Sequence, residues 1–207
     1  MTKGALELEG FESKFEKVVN SYEWKKLESF FTKARHVLLL GNGGNLAIAD
    51  HAAIDISRLT DKNGIAPGSG ITSTSIIGDK SPEEWFKCWL EYRMRGLPAE
   101  DCLVIGFSCS TDGTSSSAIV KALTYASERG SSAAIISAQP KTGLDDRILS
   151  VSQDVSLYHT SEVLSLALTY QLTHAAGFEC PSVFEKSRSR KFEKLGIDSE
   201  IKQGAVS

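Results

Sequence analysis

His51 and Asp55 stand four residues apart in the run Ala49-Asp50-His51-Ala52-Ala53-Ile54-Asp55-Ile56. On a helix that spacing puts both on one face. An imidazole beside a carboxylate can shuttle protons or hold a metal ion; a polar pair on a partly exposed helix is the plainer reading. Just upstream stands Gly41-Asn42-Gly43-Gly44. These glycines permit positive φ and let backbone amides approach a ligand. A helix starting there would offer free N–H groups and the positive end of its dipole to an anionic or polyhydroxylated small molecule. The turn is not a Walker loop, because no Gly-Lys-Ser/Thr follows, and the third glycine of a dinucleotide fingerprint would fall at Leu46. Taken alone, the glycines also fit a strand-to-helix turn that binds nothing.

A second stretch able to do chemistry is Gly106-Phe107-Ser108-Cys109-Ser110-Thr111-Asp112-Gly113-Thr114-Ser115-Ser116-Ser117. Its hydroxyls and amides suit a phosphate dianion without lysine or arginine, or a serine-rich turn with N-capping. Asp112 would repel a phosphate unless it points away.

The elements that must position these residues alternate. Val37–Leu40 is an apolar run ended by glycine, as in a strand buried on both faces. Leu46, Ala49, Ala53 and Ile56 then recur at helical spacing. Ile71–Ile77 alternates and reads as a short strand ended by Gly78-Asp79-Lys80-Ser81-Pro82. Ser81 is expected to N-cap a helix over Pro82–Arg95, with Glu84 completing a capping box and Trp85, Phe86, Trp89 and Met94 inward. Leu103–Phe107, Ala133–Ser137 and Val155–Tyr158 read as strands. The serine-rich loop leads into a helix closed near Gly130, and Thr160–Ala176 is a long apolar helix stopped by Gly177 and Pro181. Phe11–Lys33 carries an apolar stripe on one or two helices, which cover the chain's own core or pack on another subunit.

Strands alternating with helices predict an α/β fold, a three-layer αβα sandwich with a mainly parallel five-stranded, flavodoxin-like sheet and right-handed crossovers. Ligands bind such sheets at the carboxyl ends of the strands, where both special stretches fall. One domain is expected over residues 1–181, including the N-terminal helical segment. The polar tail 182–207 is a solvated end or an arm reaching a neighbouring subunit.

A net charge of −3 gives no reason to expect nucleic acid, and no apolar stretch reaches the length of a membrane span. Met1–Gly10 lacks an apolar signal core. The four cysteines are widely spaced without C-x-x-C, and Cys88 and Cys102 lie in apolar runs as buried thiols. A reducing, cytoplasmic setting is expected.

Gly41-Asn42-Gly43-Gly44, followed by Ala49-x-His51 and by Asp55, resembles the sugar isomerase (SIS) domain, and within it the phosphoheptose (sedoheptulose-7-phosphate) isomerase branch. That branch usually reads Gly-Asn-Gly-Gly-Ser and then Ala-x-His-Phe-Ala-x-Glu-Leu. Here Asn45 replaces the serine and Asp55 the glutamate. Ser108-Cys109-Ser110, with Ser115 or Ser116, resembles the branch's Ser-Thr-Ser-Gly-x-Ser phosphate clamp. The resemblance covers about Val37 to Ala176.

What it implies is a sugar-phosphate aldose–ketose isomerase working through an enediol, with sites between the subunits of a homotetramer and no organic cofactor. Asn42, Gly43, Gly44, Ser108, Cys109, Ser110, Ser115 and Ser116 would bind substrate, and Asp79 would hold sugar hydroxyls. Asp55 would be the base. A zinc ion would be held by His51, Asp55 and Glu162, the last standing where the branch has glutamine. The branch's acid is a histidine on the last helix, where this chain has Tyr170. Three readings follow: Tyr170 is the acid, His174 one turn on reaches the site by a shifted register, or the acid is lost. His159 is a further candidate, with helix capping as its other role. A non-catalytic SIS module binding a sugar phosphate or a protein is the alternative function.

Overall fold

The structure is a computed structural model; it describes residues 6, 8–68, 70–109, 114–178 and 180, with the backbone alone over 114–116. Five parallel strands form one sheet, β1 (His36–Gly41), β2 (Asn63–Ile65), β3 (Cys102–Ser108), β4 (Ser132–Ser137) and β5 (Ile148–Ser152), in the order β2-β1-β3-β4-β5. Successive strand residues point to opposite faces, so Val37 and Leu39 enter one core and Leu38 and Leu40 the other. Helices α1 (Phe11–Val19), α2 (Tyr22–Lys33), α3 (Gly44–Leu59) and α7 (Tyr158–Ala175) cover the first face. Helices α4 (Gly70–Asp79), α5 (Trp85–Arg93) and α6 (Thr114–Glu128) cover the second. The three-layer αβα sandwich is thus observed. The N-terminal stripe forms two helices that bury Val18, Trp24, Leu27 and Phe31 on the chain's own core.

Two expected strands lie elsewhere. Ile71–Ile77 is inside α4. There Ser73 and Thr74 hydroxyls donate to the Gly70 carbonyl at 3.0 and 2.7 Å, the back-bonding that lets hydroxyl residues sit in a helix, and only Ile76 is buried. The strand appears instead at Asn63–Ile65, in a stretch rich in turn residues. What holds it is distant: Asn63 N–H donates to the Arg35 carbonyl at 2.8 Å. The buried Lys62 ammonium donates to the Thr32 and Ala34 carbonyls at 3.1 and 2.9 Å, capping the end of α2. The expected strand at Val155–Tyr158 is replaced by β5, whose Ile148 and Val151 are buried against β4.

Helix α5 begins at Trp85, after Glu84 rather than Ser81. Glu84 accepts from Lys121 at 2.8 Å across to α6 instead of closing a capping box, and that ammonium holds its carboxyl below the usual value. Trp85, Phe86, Trp89 and Met94 are buried as expected.

Candidate active site

Asn42, Gly43 and Gly44 connect β1 to α3. Gly43 caps the helix at φ 57 and ψ −127, a conformation open to glycine. Gly44 is bare for another reason: a Cβ there would collide with the Glu162 carboxylate of α7. Glu162 Oε2 lies 3.5 Å from His159 Nδ1. The next residue, Asn45, is buried and donates from Nδ2 to Cys109 Sγ at 3.2 Å. Cys109 follows Ser108, the buried last residue of β3, and its thiol faces the Tyr158 carbonyl at 3.8 Å. The glycine turn, the loop after β3 and the start of α7 therefore meet at the carboxyl ends of neighbouring strands. Ser110 and Asp112 lie outside the described residues, as do the side chains of Ser115 and Ser116 in the first turn of α6.

Two turns along α3 lies a polar cluster. His51 Nε2 sits 3.2 Å from Asp55 Oδ2 and 3.0 Å from the Tyr170 hydroxyl of α7. The two rings meet edge to face, with centroids 5.9 Å apart. Arg58 Nη2 donates to Asp55 Oδ1 at 2.8 Å. Asp55 is 7% exposed, whereas the His51 side chain is 51% exposed. Burial, and then the Asp55 charge, push the Tyr170 phenol above its ordinary value, so it keeps its proton at neutral pH. Helix α7 meets α3 twice, Glu162 at Gly44 and Tyr170 at His51, so the two helices advance side by side in one direction. A buried amide ties α7 to the end of β5: Gln153 Nε2 donates to Ser165 Oγ of α7 at 2.8 Å and to the Ser161 carbonyl at 3.2 Å.

Solved structures share this arrangement of layers. A phosphoheptose isomerase from Neisseria gonorrhoeae matches with a TM-score of 0.65 at 18% identity, over 81% of this chain and 91% of that one. A phosphoheptose isomerase from Francisella tularensis matches with a TM-score of 0.61 at 14% identity, over 82% and 93%. The sugar isomerase domain of an RpiR transcription factor from Sphaerobacter thermophilus matches with a TM-score of 0.52 at 16% identity, over 82% and 86%. The chain has the SIS fold. No protein-family model and no curated protein sequence matches it.

Within this SIS fold, the described site residues form two groups, with two residues outside them. Asn42, Gly43, Gly44, Ser108, Cys109 and Glu162 gather at the crevice. His51, Asp55 and Tyr170 gather on the α3–α7 seam. His174 and Asp79 join neither group. His174 Nδ1 donates to the Phe178 carbonyl at 3.2 Å, closing the end of its own helix. Asp79 is the exposed last residue of α4, since the strand it was expected to end is a helix. Arg58 and Asn45 are additional members. Arg58 carried a readable signal, lying three residues after Asp55 on the same helical face; Asn45 had one in its place directly after the glycines.

The donors implied for zinc do not suit that ion as placed. Asp55 carries a guanidinium on one oxygen and an imidazole on the other, and Glu162 lies against Gly44 with His159. No step below is routed through a metal.

Proposed function

We propose that this chain is a sugar-phosphate aldose–ketose isomerase of the phosphoheptose isomerase kind, acting through an enediol. The observation that carries this is the Tyr170–His51 contact at 3.0 Å, beside a buried carboxylate. It puts a neutral hydroxyl donor and a proton-shuttling imidazole together, the two functions that moving a carbonyl to its neighbouring carbon requires. The serine-rich loop, which runs into the N-terminus of α6, holds the phosphate through hydroxyls, amides and the helix dipole. The glycine turn lies beside the carbon chain.

Geometry bears on substrate length. His51 lies two turns beyond Gly44, a rise of about 10 Å. A sugar phosphate anchored at the crevice must extend about that far to bring its carbonyl to His51, which favours a long chain such as a heptulose. A shorter sugar is served if a second copy completes the site, and a homotetramer with sites between subunits is part of this proposal, as is a cytoplasmic setting. No helix among the described residues is long and apolar enough to cross a membrane.

The test is proton exchange followed by NMR in heavy water, over a panel of ketose and aldose phosphates. Deuterium entering at the carbon beside the carbonyl of at least one is expected, and Ser110→Asp should weaken that sugar phosphate's binding in calorimetry through like-charge repulsion. One observation favours a second reading, a sugar-phosphate binding module without turnover: both oxygens of Asp55 are already engaged. Calorimetric binding without exchange by any sugar phosphate would select it.

A further inference from the structure

Asn45 and Cys109 stand where the resembling branch has serine and threonine. The fold brings these two departures into contact. Asn45, in the first turn of α3, donates from Nδ2 to Cys109 Sγ at 3.2 Å, just past the end of β3. The other atom of the same amide, Oδ1, is buried and has no partner among the described residues. Asn45 as a whole is 6% exposed. A buried acceptor without a donor is costly, so its presence in a folded chain calls for a donor that arrives later.

The four cysteines differ in access. Cys88 and Cys102 are buried, and burial pushes both thiols up; thiols of that kind are inert. Cys180 is exposed, beyond the end of α7. Cys109 is half-buried in the crevice, with an N–H directed at its sulfur and the Tyr158 carbonyl 3.8 Å away. We propose that Cys109 is a modification site: a hydroperoxide oxidises it to the sulfenic acid, and the oxidised crevice no longer takes phosphate. The inference rests on the reading of this crevice as the phosphate site.

The step balances with hydrogen peroxide. Sulfur attacks one peroxide oxygen, the S–O bond forms as the O–O bond breaks, and the departing oxygen leaves as water with the thiol proton. Sulfur loses two electrons and the peroxide gains them. Two features of the pair suit this product. The Asn45 Nδ2–H stabilises negative charge on sulfur during the attack. The new S–O–H group is a donor beside an acceptor that lacks one, so Asn45 Oδ1 gains the partner missing in the thiol form. A serine or threonine at position 109 would undergo no such reaction. The added oxygen stands between Ser108 and Ser110 in the chain, and its bulk and lone pairs oppose a phosphate held by that loop. A small thiol reductant returns the sulfenic acid to the thiol through a mixed disulfide.

The test uses the full chain carrying Cys180→Ser, which removes the exposed thiol. A stoichiometric amount of hydrogen peroxide is added with dimedone, which traps sulfenic acids, and the labelled residue is read by peptide mass spectrometry. Label at Cys109 and not at Cys88 or Cys102 is expected; no label at Cys109, or as much at the buried pair, overturns the proposal. Asn45→Asp keeps the side chain's size but turns a carboxylate toward the sulfur, and should slow labelling about tenfold. Asn45→Leu, which keeps the bulk and removes the N–H, should slow it as well; labelling at the parent rate in both variants overturns the part given to Asn45. Binding of inorganic phosphate is then compared by calorimetry before and after peroxide without dimedone. Oxidation should weaken it about tenfold or more, dithiothreitol should restore it, and binding by Cys109→Ser should not respond to peroxide. Binding that survives complete oxidation of Cys109 overturns the proposal and leaves the phosphate reading standing. If the reduced protein binds neither inorganic phosphate nor any sugar phosphate of the panel, the phosphate reading falls and takes the proposal with it.

Discussion

Arg58 and Asp55 form a pair of unlike halves, the carboxylate buried on α3 and the guanidinium largely exposed one turn later, joined at 2.8 Å. A buried carboxylate needs such a partner, because losing it leaves the charge desolvated and unpaired. Exposure of the arginine screens the pair and moderates its worth. Arg58→Ala should therefore lower stability by about 1–2 kcal/mol, read as a lower urea midpoint with an unchanged slope. The same change made in an Asp55→Asn background should cost much less. Equal losses in both backgrounds would show that Arg58 stabilises the fold through something other than Asp55.

Gly44 and Glu162 offer a second test, because the glycine is required by a side chain on another helix. Gly44→Ala should force the Glu162 carboxylate to withdraw and lower the thermal midpoint. Gly44→Ala combined with Glu162→Ala should lose less than the sum of the two single changes, with a coupling of about 1 kcal/mol. Additive losses would mean that the glycine is needed for its own turn alone.

The proposed assembly makes a third prediction. Ile54 on α3 is 67% exposed, and Tyr158 and Tyr170 on α7 are 65% and 45% exposed. Such apolar groups exposed along two adjacent helices suit burial against another copy of the chain. Light scattering at micromolar concentration should give a multiple of the 22.4 kDa chain mass, and Ile54→Lys should lower it. A monomeric wild type would remove the shared site from the proposal.

The sequence by itself determined the class of fold and the two crevice motifs, because each rests on local chemistry. An apolar run ending in glycines makes a strand and a turn wherever it is placed, and His51 and Asp55 share a face through helical spacing alone. It also made Arg58 readable, though only as a neighbour three residues on. The edge strand Asn63–Ile65 was not legible, because it exists through Arg35 and the Lys62 anchor on α2 rather than through its own residues. Nor was the helix at Ile71–Ile77, a run that reads as a strand until the Ser73 and Thr74 hydroxyls find the Gly70 carbonyl. The choice between Tyr170 and His174 at the His51 cluster belonged to tertiary structure. Both project from the same long helix, and only the register of that helix against α3, with Glu162 at Gly44, brings Tyr170 onto His51 across 119 residues of chain. Contacts of that separation depend on how packed cores align whole elements, and no short-range pattern records that.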